Sequence, residues 1–133
     1  FPGVLDVFDF LQKKKIKLGI TTFAYRWYID KMINRLNLRK HFKIILSSDD
    51  VNKPKPNPEI VLKACKNLKI PKSLALVVGD SKGDIIAGNA AGCQTALFIP
   101  EKHKMFYDFN VLRKSKPDFI FSEFTDLKEI LKF

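Results

Sequence analysis

The chain has 133 residues, a formal net charge of +10 and 46% hydrophobic residues, enough for one domain with a buried core. No apolar run is long enough to span a bilayer, and no basic stretch precedes an apolar core at the N-terminus, so neither a membrane anchor nor a secretory signal is expected. The charge raises nucleic-acid binding as a role, but the lysines are spread along the chain without a recognition-helix, zinc-finger or aromatic RNA-binding pattern; the expectation is a lysine-coated surface with no specific nucleic-acid partner.

Val4, Leu5, Phe8 and Leu11 recur at helical spacing and predict an amphipathic helix over 4–14. An apolar strand over 16–22 follows. Ile29, Met32, Ile33 and Leu36 mark one face of a helix over about 24–36, and 43–47 reads as a second strand. A polar, proline-rich loop covers 48–57. Asn57 is then a plausible N-cap with Pro58 at the first helical position. Ile60, Val61, Ala64, Cys65 and Leu68 form that helix's buried stripe. An apolar strand over 74–78 ends in Gly79-Asp80, a small-residue helix covers 83–91, and Gly92 is its stop. Strands over 95–99 and 118–121 flank the least regular stretch, 100–117. Leu127, Ile130 and Leu131 pattern a last helix. Cys65 and Cys93 lack metal-type spacing and read as reduced core thiols, which suits a cytoplasmic protein.

Strands that alternate with helices, and that are apolar throughout, predict a parallel sheet covered on both faces, a three-layer α/β/α arrangement of Rossmann type over residues 1–133. Ligand sites in such sheets lie beyond the carboxyl ends of the strands, and three strand ends carry unusual polar residues. Thr21-Thr22 could hold a phosphate or carboxylate oxygen, or open the next helix as a cap. In Asn52-Lys53-Pro54-Lys55-Pro56-Asn57-Pro58 the prolines stiffen the loop and fix Lys53, whose ammonium could neutralise a phosphoryl group; the alternative is a rigid turn with solvated lysines. Gly79-Asp80-Ser81-Lys82-Gly83-Asp84 brings two carboxylates to the end of a buried strand, oxygen chemistry suited to Mg²⁺, or else a helix cap with a dipole-complementing acid.

In that order the three segments resemble the haloacid dehalogenase superfamily, in particular its phosphoglycolate-phosphatase-like and beta-phosphoglucomutase-like members. Leu18-Gly19-Ile20-Thr21-Thr22 resembles the family's second motif, Lys53-Pro54-Lys55-Pro56-Asn57-Pro58 its third, and Gly79-Asp80-Ser81-Lys82-Gly83-Asp84 with Ala90-Ala91-Gly92 its fourth. Phe1-Pro2-Gly3-Val4 is similar to the segment that follows the family's cap domain. Phe23 departs from the smaller residues common beside the threonine and would shape the substrate end of the pocket. The resemblance implies a Mg²⁺-dependent phosphatase of small phosphorylated metabolites working through an aspartyl-phosphate. Thr22 would hold the transferring group, Lys53 would stabilise charge, Asp80 would bind the metal and Asp84 would support it. A 2-haloacid dehalogenase, a phosphomutase and an inactive fragment are the alternatives.

The family's first motif, Asp-x-Asp on the first strand, has no match. Asp6 and Asp9 lie inside the first helix, and Asp49-Asp50 are adjacent in a loop. The resemblance therefore implies a core lacking the nucleophile strand and the cap, in which the Thr22 strand and the Asp80 strand lose a shared neighbour. A longer parent chain, a separate chain filling the gap, or self-association around it would each answer this, and the reading favours a fragment.

Overall fold

The computed structural model describes residues 3–131; Phe1 and Pro2 of the opening segment lie outside them. The elements run α1 (Val4–Lys13), β1 (Gly19–Thr21), α2 (Arg26–Arg35), β2 (Ile44–Leu46), α3 (Glu59–Leu68), β3 (Leu76–Gly79), α4 (Lys82–Ala91), β4 (Gln94–Phe98), α5 (Phe109–Lys114), β5 (Phe119–Phe121) and α6 (Leu127–Ile130). The predicted order holds, with shorter strands. Ladder pairing sets these lengths: β1 meets β2 only from Gly19 opposite Ile44 to Thr21 opposite Leu46. Helix α3 starts at Glu59 rather than Pro58, yet Asn57 still caps it, because its Oδ1 accepts the Glu59 N–H at 3.0 Å. The stretch read as irregular holds a 3₁₀ segment, Glu101–Phe106, and the short helix α5. No helix among the described residues is long and apolar enough to cross a membrane.

Helices cover both faces of parallel strands. Along β4 the side chains alternate, as strand geometry requires. Ala96 and Phe98 pack with Val7 and Leu11 of α1, Phe121 of β5 and Leu127 of α6. Leu97 turns the other way, to Ile85 of α4 and Ile99. A further cluster joins Ile60, Val61, Ala64 and Cys65 of α3 to Ala87 and Ala91 of α4 and Leu46 of β2. Within it the Cys65 and Cys93 sulfurs lie 3.9 Å apart as free thiols. Burial, and then the neighbouring Cys65, push the Cys93 thiol up to about 12, so it stays protonated and unreactive in the folded chain.

The strands form two parallel sheets, β1-β2 and β3-β4-β5, and among the described residues no ladder joins them. Burial records the seam. Thr95 through Phe98 are all buried in β4, while no residue of β1 or β3 is. Helix α1 covers one face of the seam, reaching Ile16 and Leu18 ahead of β1 as well as Leu76 and Ala96. Helix α3 covers the other, touching β1, β2 and α4.

Candidate functional site

The carboxyl ends of β1, β2 and β3 converge on one side chain, Lys55. Its ammonium donates to the Thr21 carbonyl at 3.0 Å and to Asp84 Oδ1 at 2.7 Å. The first partner ends β1 and the second opens α4 after β3, so one cation ties together the ends of two sheets that share no ladder. The Lys55 side chain is 6% exposed and that of Asp84 14%. At such burial an unpaired charge is costly, and the pair satisfies both groups. The Phe23 ring lies 5.6 Å from the same ammonium and is otherwise open to solvent, so it forms part of the mouth.

Thr22 follows the last β1 residue. Its N–H donates to the Leu46 carbonyl at 3.0 Å. Its Oγ1 accepts the Ala24 N–H at 3.1 Å, which is the capping role, and this leaves the hydroxyl hydrogen available to a ligand.

The Lys55 loop is held at both ends. Glu59 receives two backbone N–H groups, from Asn52 at 3.0 Å and from Lys53 at 2.8 Å. Those two bonds hold its carboxyl below the usual carboxylate range. Upstream, Asp50 accepts from Ser47 N–H at 2.7 Å, from Ser47 Oγ at 3.0 Å and from the Arg26 guanidinium. Burial raises Asp50, but these donors outweigh it and leave the carboxyl below its usual value. Arg26 also donates to the Ile45 carbonyl at 2.7 Å, which fixes the start of α2 against β2. The Lys55–Pro56 peptide is cis.

At the end of β3, Gly79 leaves room for Asp84. A Cβ built on Gly79 would lie 2.3 Å from Asp84 Cβ, so a side chain there would displace the carboxylate. Ser81 caps α4 through the Asp84 N–H, and its hydroxyl donates to Asp84 Oδ2 at 3.0 Å. Both oxygens of Asp84 are thus engaged. Asp80 differs: it is exposed, and among the described residues nothing donates to its carboxylate. Burial and then the Asp80 charge raise the Tyr107 hydroxyl above its usual value. No group of three or more His, Cys, Asp or Glu side chains gathers among the described residues. An open carboxylate at a strand end is a hard oxygen donor, and it suits an ion such as Mg²⁺ that takes few protein ligands and keeps water.

Of the residues named from sequence, Phe23 and Asp84 lie around the Lys55 ammonium, Thr22 follows the Thr21 carbonyl that accepts from it, and Asp80 precedes the Ser81 that caps α4. Lys53 does not join them. It is exposed, and its contribution to the loop is a backbone N–H bound to Glu59. The lysine that enters the site is Lys55, because the turn held by Glu59 directs the second lysine inward. Sequence carried a signal for this: Lys55-Pro56-Asn57-Pro58 repeats the Lys-Pro-x-Pro frame of Lys53-Pro54-Lys55-Pro56, and the second frame abuts the helix. Asp84, read as supporting a metal at Asp80, anchors Lys55 and Ser81. Glu59, Arg26 and Asp50 were missed, since each reads in sequence as an ordinary charge at a helix start or in a loop.

A family model described as haloacid dehalogenase-like hydrolase matches residues 1–98. Over 130 residues the chain is 32% identical to the phosphoglycolate phosphatases of Salmonella typhi and Escherichia coli strain K12, covering 96% of this chain and 49% of each relative. It therefore spans about half the length of the curated relatives it matches. The solved structure of a "predicted phosphoglycolate phosphatase" from Haemophilus somnus aligns at a TM-score of 0.86 and 25% identity, over 99% of this chain and 57% of that one. A HAD phosphatase from Thermococcus onnurineus aligns at 0.86 and 24% identity, over 99% and 58%, which shows the fold. With three motif-bearing strand ends brought together and the family model matching most of its length, the chain belongs to the haloacid dehalogenase-like hydrolase family.

Proposed function

We propose that these residues are the phosphoryl-handling part of a Mg²⁺-dependent phosphatase of small phosphorylated metabolites, whose attacking aspartate comes from a strand outside the 133 residues. The observation that carries the reading is Lys55: a nearly buried ammonium between the Thr21 carbonyl and Asp84, beside the seam between β1 and β3. The phosphoglycolate phosphatase relatives favour a phosphoester substrate.

In this reading an aspartate on a strand seated in the seam attacks phosphorus. The phosphorus–oxygen bond to the substrate breaks as the aspartyl-phosphate forms, the alcohol leaves with a proton, and water then hydrolyses the aspartyl-phosphate to inorganic phosphate. The Thr22 hydroxyl donates to a phosphoryl oxygen. The Lys55 ammonium, held in place by Asp84, lies between the attacking carboxylate and the phosphoryl oxygens and offsets the charge of both. Asp80 would hold the metal, which when bound supplies positive charge to the phosphoryl oxygens. Phe23 borders the leaving-group side of the mouth. Asp84 acts through Lys55 as a positioning residue.

The test is hydrolysis of an aryl phosphate by the full-length parent protein. Turnover should disappear on chelation and return with Mg²⁺, and Asp80→Asn should lower kcat about 1,000-fold or more. The 133-residue chain alone should show no turnover above background. A full-length protein inactive on a broad phosphoester panel, or one active and indifferent to chelation, would remove the phosphatase reading.

A further inference from the structure

We infer that a second site, a basic cleft at the opposite end of β1 and β2, binds a small polyphosphate anion. The cleft has a volume of roughly 500 Å³ and lies between the connection from α1 to β1 and the connection from α2 to β2. Lys15 and Lys17 stand on the first connection, Lys40 and Lys43 on the second. Lys17 and Lys43 precede the first residues of their strands, whereas Thr22 and Lys55 lie past the last. The two sites are thus separated by the length of a three-residue strand, on the order of 10 Å.

The walls are tied together by bonds that do not use the lysine ammoniums of Lys15, Lys40 or Lys43. Lys43 N–H donates to the Leu18 carbonyl at 2.8 Å. Gln12, also in the lining, links α1 to the second connection: its Nε2 donates to the Lys40 carbonyl at 3.2 Å, and its Oε1 accepts from His41 Nδ1 at 2.7 Å. His41 is itself buried, 5.5 Å from the Phe8 ring. Lys17 reaches across to the Leu68 carbonyl at 2.8 Å, so its charge borders the cleft from a fixed position.

Charge decides the ligand. Four of the nine lining residues are lysines and none is acidic, against 24 Lys and Arg in 133 residues overall. Asp9 approaches His41 Nδ1 at 3.9 Å from outside the lining. The negative end of the α1 dipole accounts for cations on its last turn, Lys13 and Lys14, but Lys40 and Lys43 stand on a connection beyond α2. Four like charges around one concavity repel each other, and a multiply charged anion relieves that repulsion while a single charge relieves it only in part. Lysine ammoniums are point-charge donors suited to phosphate oxygens. The size of the cleft suits a di- or triphosphate rather than a duplex backbone, which would need an extended surface.

The test is calorimetric titration of the 133-residue chain with inorganic tripolyphosphate in about 0.15 M salt. We expect saturable one-to-one binding that Lys40→Gln with Lys43→Gln weakens about tenfold, and that Lys40→Arg with Lys43→Arg restores. Lys55→Gln, and Lys31→Gln with Lys66→Gln on exposed helix positions, should leave it unchanged. Should the double glutamine variant lose its fold by thermal unfolding, Lys15→Gln, at an exposed turn, should still weaken binding severalfold. Absence of saturation would overturn the assignment. So would equal weakening by Lys31→Gln with Lys66→Gln, loss of binding in Lys55→Gln, or tighter binding of duplex RNA or DNA than of tripolyphosphate.

Discussion

Strands β3 and β4 lie side by side with comparably apolar sequences, Leu76–Gly79 and Gln94–Phe98, yet β4 is buried from Thr95 to Phe98 while no residue of β3 is. Strand β4 has a ladder on each side, with β3 and with β5. Strand β3 has one, and so does β1, whose partner is β2. The contrast separates two sources of burial. Helices laid over a strand cover its faces, but full enclosure also needs neighbours at both edges. At the seam the faces are covered by α1 and α3, no ladder joins the two edges among the described residues, and the junction at the strand ends rests on Lys55.

The largest effect that sharpens the comparison is on packing. Leu97 is fully buried and Val78 is 39% exposed. Leu97→Ala should cost about 3 kcal/mol in urea unfolding, and Val78→Ala less than about 1 kcal/mol. Equal costs would break the contrast between β4 and the seam. Next in size is the ion pair that spans the seam. Lys55→Ala leaves Asp84 with little solvent to replace its partner and should cost about 2 kcal/mol. Combining Lys55→Met with Asp84→Asn should recover most of it, because no unpaired charge remains. A double variant as unstable as Lys55→Ala would mean that packing, not charge, holds the junction.

A smaller effect comes from pH. The folded-state value of Asp50 lies below its unfolded one, so the unfolded chain takes up the proton more readily. The stabilisation from Asp50 is therefore present above the ordinary carboxylate range and lost as pH falls through the depressed value. Unfolding midpoints measured between about pH 6 and pH 3 should fall, and Asp50→Asn should flatten that fall. A slope unchanged by Asp50→Asn would assign the acid sensitivity to other carboxylates.

Much of this was legible in sequence because it depends on local pattern. The alternation of helix and strand, the stop at Gly92 and the apolar faces of α1 and α3 follow from periodicity and turn chemistry. Thr22, Asp80 and Asp84 were singled out because an apolar strand ending in polar residues is conspicuous, and Phe23 because it departs from the family pattern beside the threonine. The lysine was harder. Lys53 and Lys55 open overlapping Lys-Pro-x-Pro frames, and stiffness alone does not say which points inward. That is set by Glu59 taking the Asn52 and Lys53 N–H groups, a contact across a loop that periodicity does not encode. The helix over Phe109–Lys114 was missed because its Lys- and Phe-rich surroundings show no clear 3.6-residue stripe.

The chemistry at the strand ends depends on which lysine serves them. Steady-state kinetics of the full-length protein on an aryl phosphate, with Lys53→Ala and Lys55→Ala compared at matched folding, tests this directly. Lys55→Ala should lower kcat about 100-fold, while Lys53→Ala should stay within about twofold. A large loss in Lys53→Ala with Lys55→Ala near the parent rate would contradict the account.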